Sequence, residues 1–84
     1  MSFYVYLIKQ ILHNEKGFED VEIHAIGDNN IMTAARVVDM LTRFNYVTMS
    51  RLKTKSITRA TDRTIKLIFH LKRTSEFERL YLAF

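Results

Sequence analysis

Thr64-Ile65-Lys66-Leu67-Ile68-Phe69-His70-Leu71-Lys72 alternates more sharply than any other stretch of the chain. Ile65, Leu67, Phe69 and Leu71 share one parity, and Lys66, His70 and Lys72 share the other, so the period of two predicts a β-strand with one face inward. The stretch before it, Val47–Thr58, is rich in β-branched and basic residues and also reads as a strand. The link Arg59–Arg63 is short enough that the two strands should close as an antiparallel hairpin.

Working back toward the N-terminus, Gly27-Asp28-Asn29-Asn30 is the clearest turn. Its Asp and Asn side chains suit the cap of a helix running from about Ile31 to Phe44, with Ile31, Ala34, Ala35, Val38 and Leu41 on one stripe. Asp20–Ile26 sets Val21, Ile23 and Ala25 against Glu22 and His24, a short half-buried strand. Ser2–His13 carries Tyr4, Leu7, Ile8 and Ile11 at helical spacing, and Asn14–Gly17 reads as its stop. In the tail, Thr74–Phe84, Ser75 and Glu78 stand at capping-box spacing before an apolar stripe of Phe77, Leu80, Tyr81 and Phe84. The predicted order is α-β-α-β-β-α.

These 84 residues suit one domain spanning 1–84, small enough to gain stability from a partner. A hydrophobic share of 48% marks a folding sequence. With no cysteine, neither a disulfide frame nor a thiolate metal site is available. The apolar run Phe3–Ile8 is too short to cross a membrane and lacks a signal-peptide pattern, so we expect a soluble, intracellular protein without a membrane partner.

Charge is segregated along the chain. Residues 1–50 hold four basic and six acidic groups, net −2; residues 51–84 hold nine basic and three acidic groups, net +6. Between Arg51 and Arg73 eight basic residues meet a single acid, Asp62. Lys and Arg on a hairpin suit the phosphate backbone of a nucleic acid, whose condensed counterions they displace. The plainer alternative is a solvated charged face. Arg51, Lys53 and Lys55 share strand parity, so they project together, with Lys66 on the neighbouring strand. Lysine at such positions also keeps an edge strand from pairing with other chains, and for Lys55 both readings stand. Arg59 and Arg63 sit near the hairpin tip, with no apolar reason to be there. His13, His24 and His70 are scattered without metal-ligand spacing, and Asp28, Asp39 and Asp62 form no acid–base pair. The sequence therefore offers no catalytic residue, metal ligand, cofactor motif or small-molecule substrate site.

Three segments in order, Phe3-Tyr4-Val5-Tyr6-Leu7, Val21-Glu22-Ile23-His24-Ala25-Ile26-Gly27 and Thr64-Ile65-Lys66-Leu67-Ile68-Phe69-His70-Leu71, resemble the Alba family, in particular its short eukaryotic branch. Ser75-Glu76-Phe77-Glu78-Arg79-Leu80 also looks like that branch. The resemblance implies a two-layer α+β sandwich: two helices on a small mixed sheet, an extended basic hairpin and a C-terminal helix. It implies a non-enzymatic binder of RNA and DNA with little sequence preference, acting as a homodimer or heterodimer. Related subunits belong to ribonuclease P and MRP particles, so a structural subunit of a ribonucleoprotein particle, acting mainly through protein contacts, is the alternative.

By the same resemblance, Tyr4 matches an aromatic near the binding surface, Lys9 a basic residue of the first helix, and Arg59 and Arg63 the hairpin arm. The family's first strand is missing, Asp62 replaces a glycine before Arg63, and Ile26 and Asp28 flank Gly27 where archaeal members carry arginines. These departures put duplex compaction in doubt and favour RNA over DNA. From its helical spacing with Leu7, Ile8 and Ile11, Tyr4 reads as a core residue rather than as one that stacks a base. Met32, Val37, Met40 and Leu41 are candidates for a dimer contact, with ordinary core filling as the default.

Overall fold

The computed structural model describes residues 2–13, 19–59 and 62–83. Helix α1 (Ser2–Leu12) is followed by β1 (Asp20–Ile26), α2 (Asp28–Arg43), β2 (Val47–Arg59), β3 (Asp62–Arg73) and a short α3 (Phe77–Leu82). The predicted element order holds. The expected stop of α1 at Asn14–Gly17, the hairpin residues 60 and 61, and Phe84 lie outside the described residues.

The sheet has the order β1-β3-β2, and both neighbouring pairs are antiparallel. The mixed sheet expected from the sequence is therefore replaced by a wholly antiparallel one. The reason is topological. The α2 crossover lays β2 parallel to β1, but β3 folds back between them and pairs with both. Ile23 and Leu52 flank Phe69, and Val21 and Met49 flank Leu71. Phe69, Leu71, Ile23 and Val21 pack into the core beneath the helices, while Met49 and Leu52 on the β2 edge stay about half exposed.

Phe69, Leu71, Ala25 and Val47 bury against Val5, Ile8 and Leu12 of α1 and Ala34, Val37, Val38 and Leu41 of α2. Phe77 of α3 and Tyr46 close the end of this core, with their rings edge to face at 6.0 Å. Two polar ties fix that end: Arg73 Nη1 donates to the Leu12 carbonyl at 3.0 Å, and Thr74 Oγ1 donates to the Asn45 carbonyl at 2.7 Å.

Several local expectations are corrected. Helix α2 starts at Asp28, not Ile31, and ends at Arg43, not Phe44. Gly27 takes the cap position with φ 90° and ψ 152°, and no side chain caps the helix. Asp28, Asn29 and Asn30 form its first turn, where Asn30 Nδ2 donates back to the Ile26 carbonyl at 2.9 Å. Ala35, expected on the inward stripe of α2, is exposed. The Ser75–Glu78 capping box does not form. Glu76 is the cap residue of α3, and Glu78 instead meets His13.

On α1 the inward stripe is Val5, Ile8 and Leu12, whereas Tyr4, Leu7 and Ile11 stand 51%, 40% and 39% exposed. Tyr4 is thus not a core residue. A helix apolar nearly all round carries two competing stripes, and α2 and β1 select one of them.

Candidate functional site

The helices cover one face of the sheet, and among the described residues nothing covers the other. Strand β2 is offset by a bulge between Met49 and Arg51, with Ser50 as the extra residue and its Oγ donating to the His70 carbonyl at 3.2 Å. A bulge shifts parity by one. Met49 before it and Leu52 after it consequently share the helix side, and Arg51, Lys53 and Lys55 all emerge on the open face. All three are exposed.

From β3 the same face receives Lys66, Ile68, His70 and Lys72, which lie opposite Lys55, Lys53, Arg51 and Thr48 respectively. Lys55 and Lys66 are a directly opposed pair of like charges, an arrangement that destabilises a ladder unless an anion neutralises it. Among the described residues Arg51, Lys53, Lys55 and Lys66 form no ion pair. Same-face side chains recur about every 6.8 Å along a strand, so the three β2 cations form an evenly spaced row.

The β1 edge of that face is acidic. Asp20 lies opposite Lys72 and Glu22 opposite His70. His70 stands 3.7 Å from Asp20 and 3.8 Å from Glu22, and His24 Nε2 lies 2.9 Å from Glu22. The hydrogen bond from His24 holds the Glu22 carboxyl below its ordinary 4.5, helped by the nearby charges of His24, His70 and Lys53. The open face thus runs from carboxylates on β1 to uncompensated cations on β2 and β3. No grouping of His, Asp or Glu suited to a metal occurs among the described residues.

The structure therefore gathers Arg51, Lys53, Lys55 and Lys66 on one face, apart from Arg63, Lys9 and Tyr4. Arg63 lies opposite Thr58, on the parity of Ile65 and Leu67, and so belongs to the helix-side face of the arm. Arg59 continues the parity of the row along β2 and lies in register opposite Asp62 at the far end of the arm. Lys9 is on α1, its Nζ 3.9 Å from the centroid of the Tyr46 ring, apart from the row. Tyr4 lines a shallow cleft with Ile8, Ile26 and Ala34. Lys72, one of the eight basic residues between Arg51 and Arg73 but not among the candidate contacts, also belongs to the open face; its parity with Lys66 was the available signal.

Of the four proposed contact residues, Val37 and Leu41 are 2% and 0% exposed and belong to the core of this chain, which removes them from any partner's reach. Met40 is half-buried, and Met32 is 55% exposed. A different apolar strip is partly uncovered on the helix side of the hairpin, where Met49 and Leu52 on the β2 edge and Ile65 farther along β3 are about half exposed. No described helix is long and apolar enough to cross a membrane.

No family model matches the chain, and no curated protein does. Among solved structures, the crystal structure of ALBA1 from Trypanosoma brucei superposes with a TM-score of 0.85, covering 98% of this chain and 78% of that one at 23% identity. The chain has an Alba-like fold.

Proposed function

We propose that this chain is a non-enzymatic nucleic-acid-binding protein whose phosphate-contacting surface is the open face of the β2–β3 hairpin. The observation that carries the reading is the opposed Lys55–Lys66 pair, set among Arg51, Lys53 and Lys72 without a neutralising acid beside it. A polyanion relieves that repulsion, and log affinity then falls steeply with log salt. RNA is the preferred ligand over duplex DNA. The row lies on an open sheet face that a single strand can follow, and Asp28 places an acid at the start of α2, where archaeal Alba-like chains carry a cation. An intracellular location, cytoplasmic or nuclear, goes with this reading.

The functional unit in this reading is a dimer, homotypic or with another Alba-like chain. Its contact is the apolar strip of Met49, Leu52 and Ile65, with Met32 nearby in exposure and character. The second reading, a structural subunit of a ribonucleoprotein particle, draws on the exposed stripe Phe3, Tyr4, Leu7 and Ile11 of α1, a second apolar surface that protein contacts would cover.

The test is a salt series of single-stranded RNA and duplex DNA binding, with a Lys53→Glu/Lys55→Glu double variant and an Arg59→Glu/Arg63→Glu variant alongside. Neutralising about five or six phosphates gives a log–log slope of about −3.5 to −4 on single-stranded RNA and about −4.5 to −5.5 on duplex DNA. The expected result is that the first variant abolishes most binding and the second weakens it less. Absence of binding by the wild type at low salt would sink the proposal for this chain alone and turn attention to its protein partner.

A further inference from the structure

Away from the basic row, at the end of the molecule opposite the hairpin tip, α1, the C-terminal end of α2 and α3 enclose a cleft of about 460 Å³. That volume falls within the range of about 300–1,000 Å³ usual for small-ligand sites. Four aromatic rings line it, Tyr6, Phe44, Tyr46 and Tyr81, and Lys9 is the one charged residue among its lining groups.

The walls are braced. Tyr81 stacks on His13 at 4.0 Å and on Phe77 at 5.7 Å, and Phe77 in turn meets Tyr46 edge to face. Tyr6 accepts a hydrogen bond from Gln10 Nε2 at 2.8 Å. Tyr6 of α1 and Phe44, just past the end of α2, remain 57% and 58% exposed at the rim.

The electrostatics of the cleft select the ligand. Aromatic faces ordinarily attract cations, but the Lys9 ammonium already occupies the Tyr46 face at 3.9 Å and repels a second positive charge. What remains favourable is a flat π-system to lie against the rings and a negative charge to meet Lys9. A nucleotide unit supplies both at once, and aromatic side chains are the usual platforms for unstacked bases.

We infer that this cleft is a nucleotide site, in which one unstacked base lies against the aromatic walls and its phosphate pairs with Lys9. The inference rests on the reading of the chain as a nucleic-acid binder and adds a reason for preferring single strands, because a base inside a duplex cannot enter.

The test follows the aromatic ring signals of the full chain by NMR during titration with a single-stranded oligoribonucleotide and, separately, with adenosine 5′-monophosphate. Affinities are measured for wild type, Phe44→Ala, Lys9→Gln and Lys53→Glu/Lys55→Glu, each checked for fold by circular dichroism. The expected result is that the four rings shift with the oligonucleotide. Phe44→Ala should weaken single-strand binding at least about fivefold while leaving duplex binding unchanged, as loss of one stacked base requires. Shifts with the mononucleotide as well would identify the cleft as a site for free nucleotides too.

If the oligonucleotide binds, loses affinity in the hairpin variant and leaves the rings unmoved, the cleft inference is overturned and the proposed function stands. If nothing binds except the mononucleotide at the rings, the cleft stands and the hairpin reading fails. Ring shifts driven by protein concentration alone would mean that a second copy fills the cleft, and would overturn it.

Discussion

Lys55 and Lys66 face each other across the antiparallel ladder, and their opposition separates a binding role from a structural one. Lys55→Glu converts a repulsive pair into an attractive one, which should stabilise the fold by about 0.2–1 kcal/mol. The same change should weaken RNA binding several-fold and flatten its salt dependence. Urea denaturation and binding at fixed salt, measured on one preparation, check both signs. A variant that is less stable and binds unchanged would contradict the assignment. Glu22 gives a second residue-level expectation. Its carboxyl is held low by His24, so its contribution to stability is complete above about pH 4.5 and is lost as pH falls through the depressed folded value. Glu22→Gln should therefore flatten the acid limb of the stability profile by lowering stability at neutral pH while leaving pH 3 little changed, as read by denaturation midpoints from pH 3 to 7.

At the level of elements, Gly27 joins β1 to α2 in a backbone conformation, φ 90° and ψ 152°, that side-chain-bearing residues avoid. A Cβ added there meets nothing within 4 Å, so the cost of Gly27→Ala is conformational and not steric, about 1–3 kcal/mol by urea denaturation. The elements themselves were largely legible. β3 is the central strand, paired on both sides and helix-covered on one face, and its alternation reports that geometry directly. Strand β1 was readable for the same reason. The misreadings came where local pattern underdetermines tertiary choice. In α1 both Tyr4-Leu7-Ile11 and Val5-Ile8-Leu12 satisfy helical spacing, and only the position of α2 and β1 decides between them. The start of α2 was misplaced because Asp28 and Asn29 look like caps, while the positive φ of Gly27 fills that position. The Ser50 bulge has no Gly or Pro to mark it, so the shared face of Leu52 and Met49 could not be read. The basic row was legible because Arg51, Lys53 and Lys55 all follow the bulge. Arg63 was misgrouped because the strands persist to Arg59 and Asp62, which fixes its parity within β3.

For the molecule as a whole, the helix-side face of the hairpin arm is only partly covered, which leaves Leu52 48% and Ile65 55% exposed. Leu52→Glu with Ile65→Glu places two charges in that strip and should convert a dimer to a monomer in sedimentation at micromolar concentration without unfolding it; an unchanged mass would place the contact elsewhere. The same arm makes the backbone long and narrow, 49 × 21 × 19 Å. A body of that length lying along a duplex covers about 14 base pairs at 3.4 Å each. As molecules land at random, the gaps between them become too short for the next one well before the polymer is covered. Occupancy would then level off early and apparent affinity would decline with filling, although no molecule repels another.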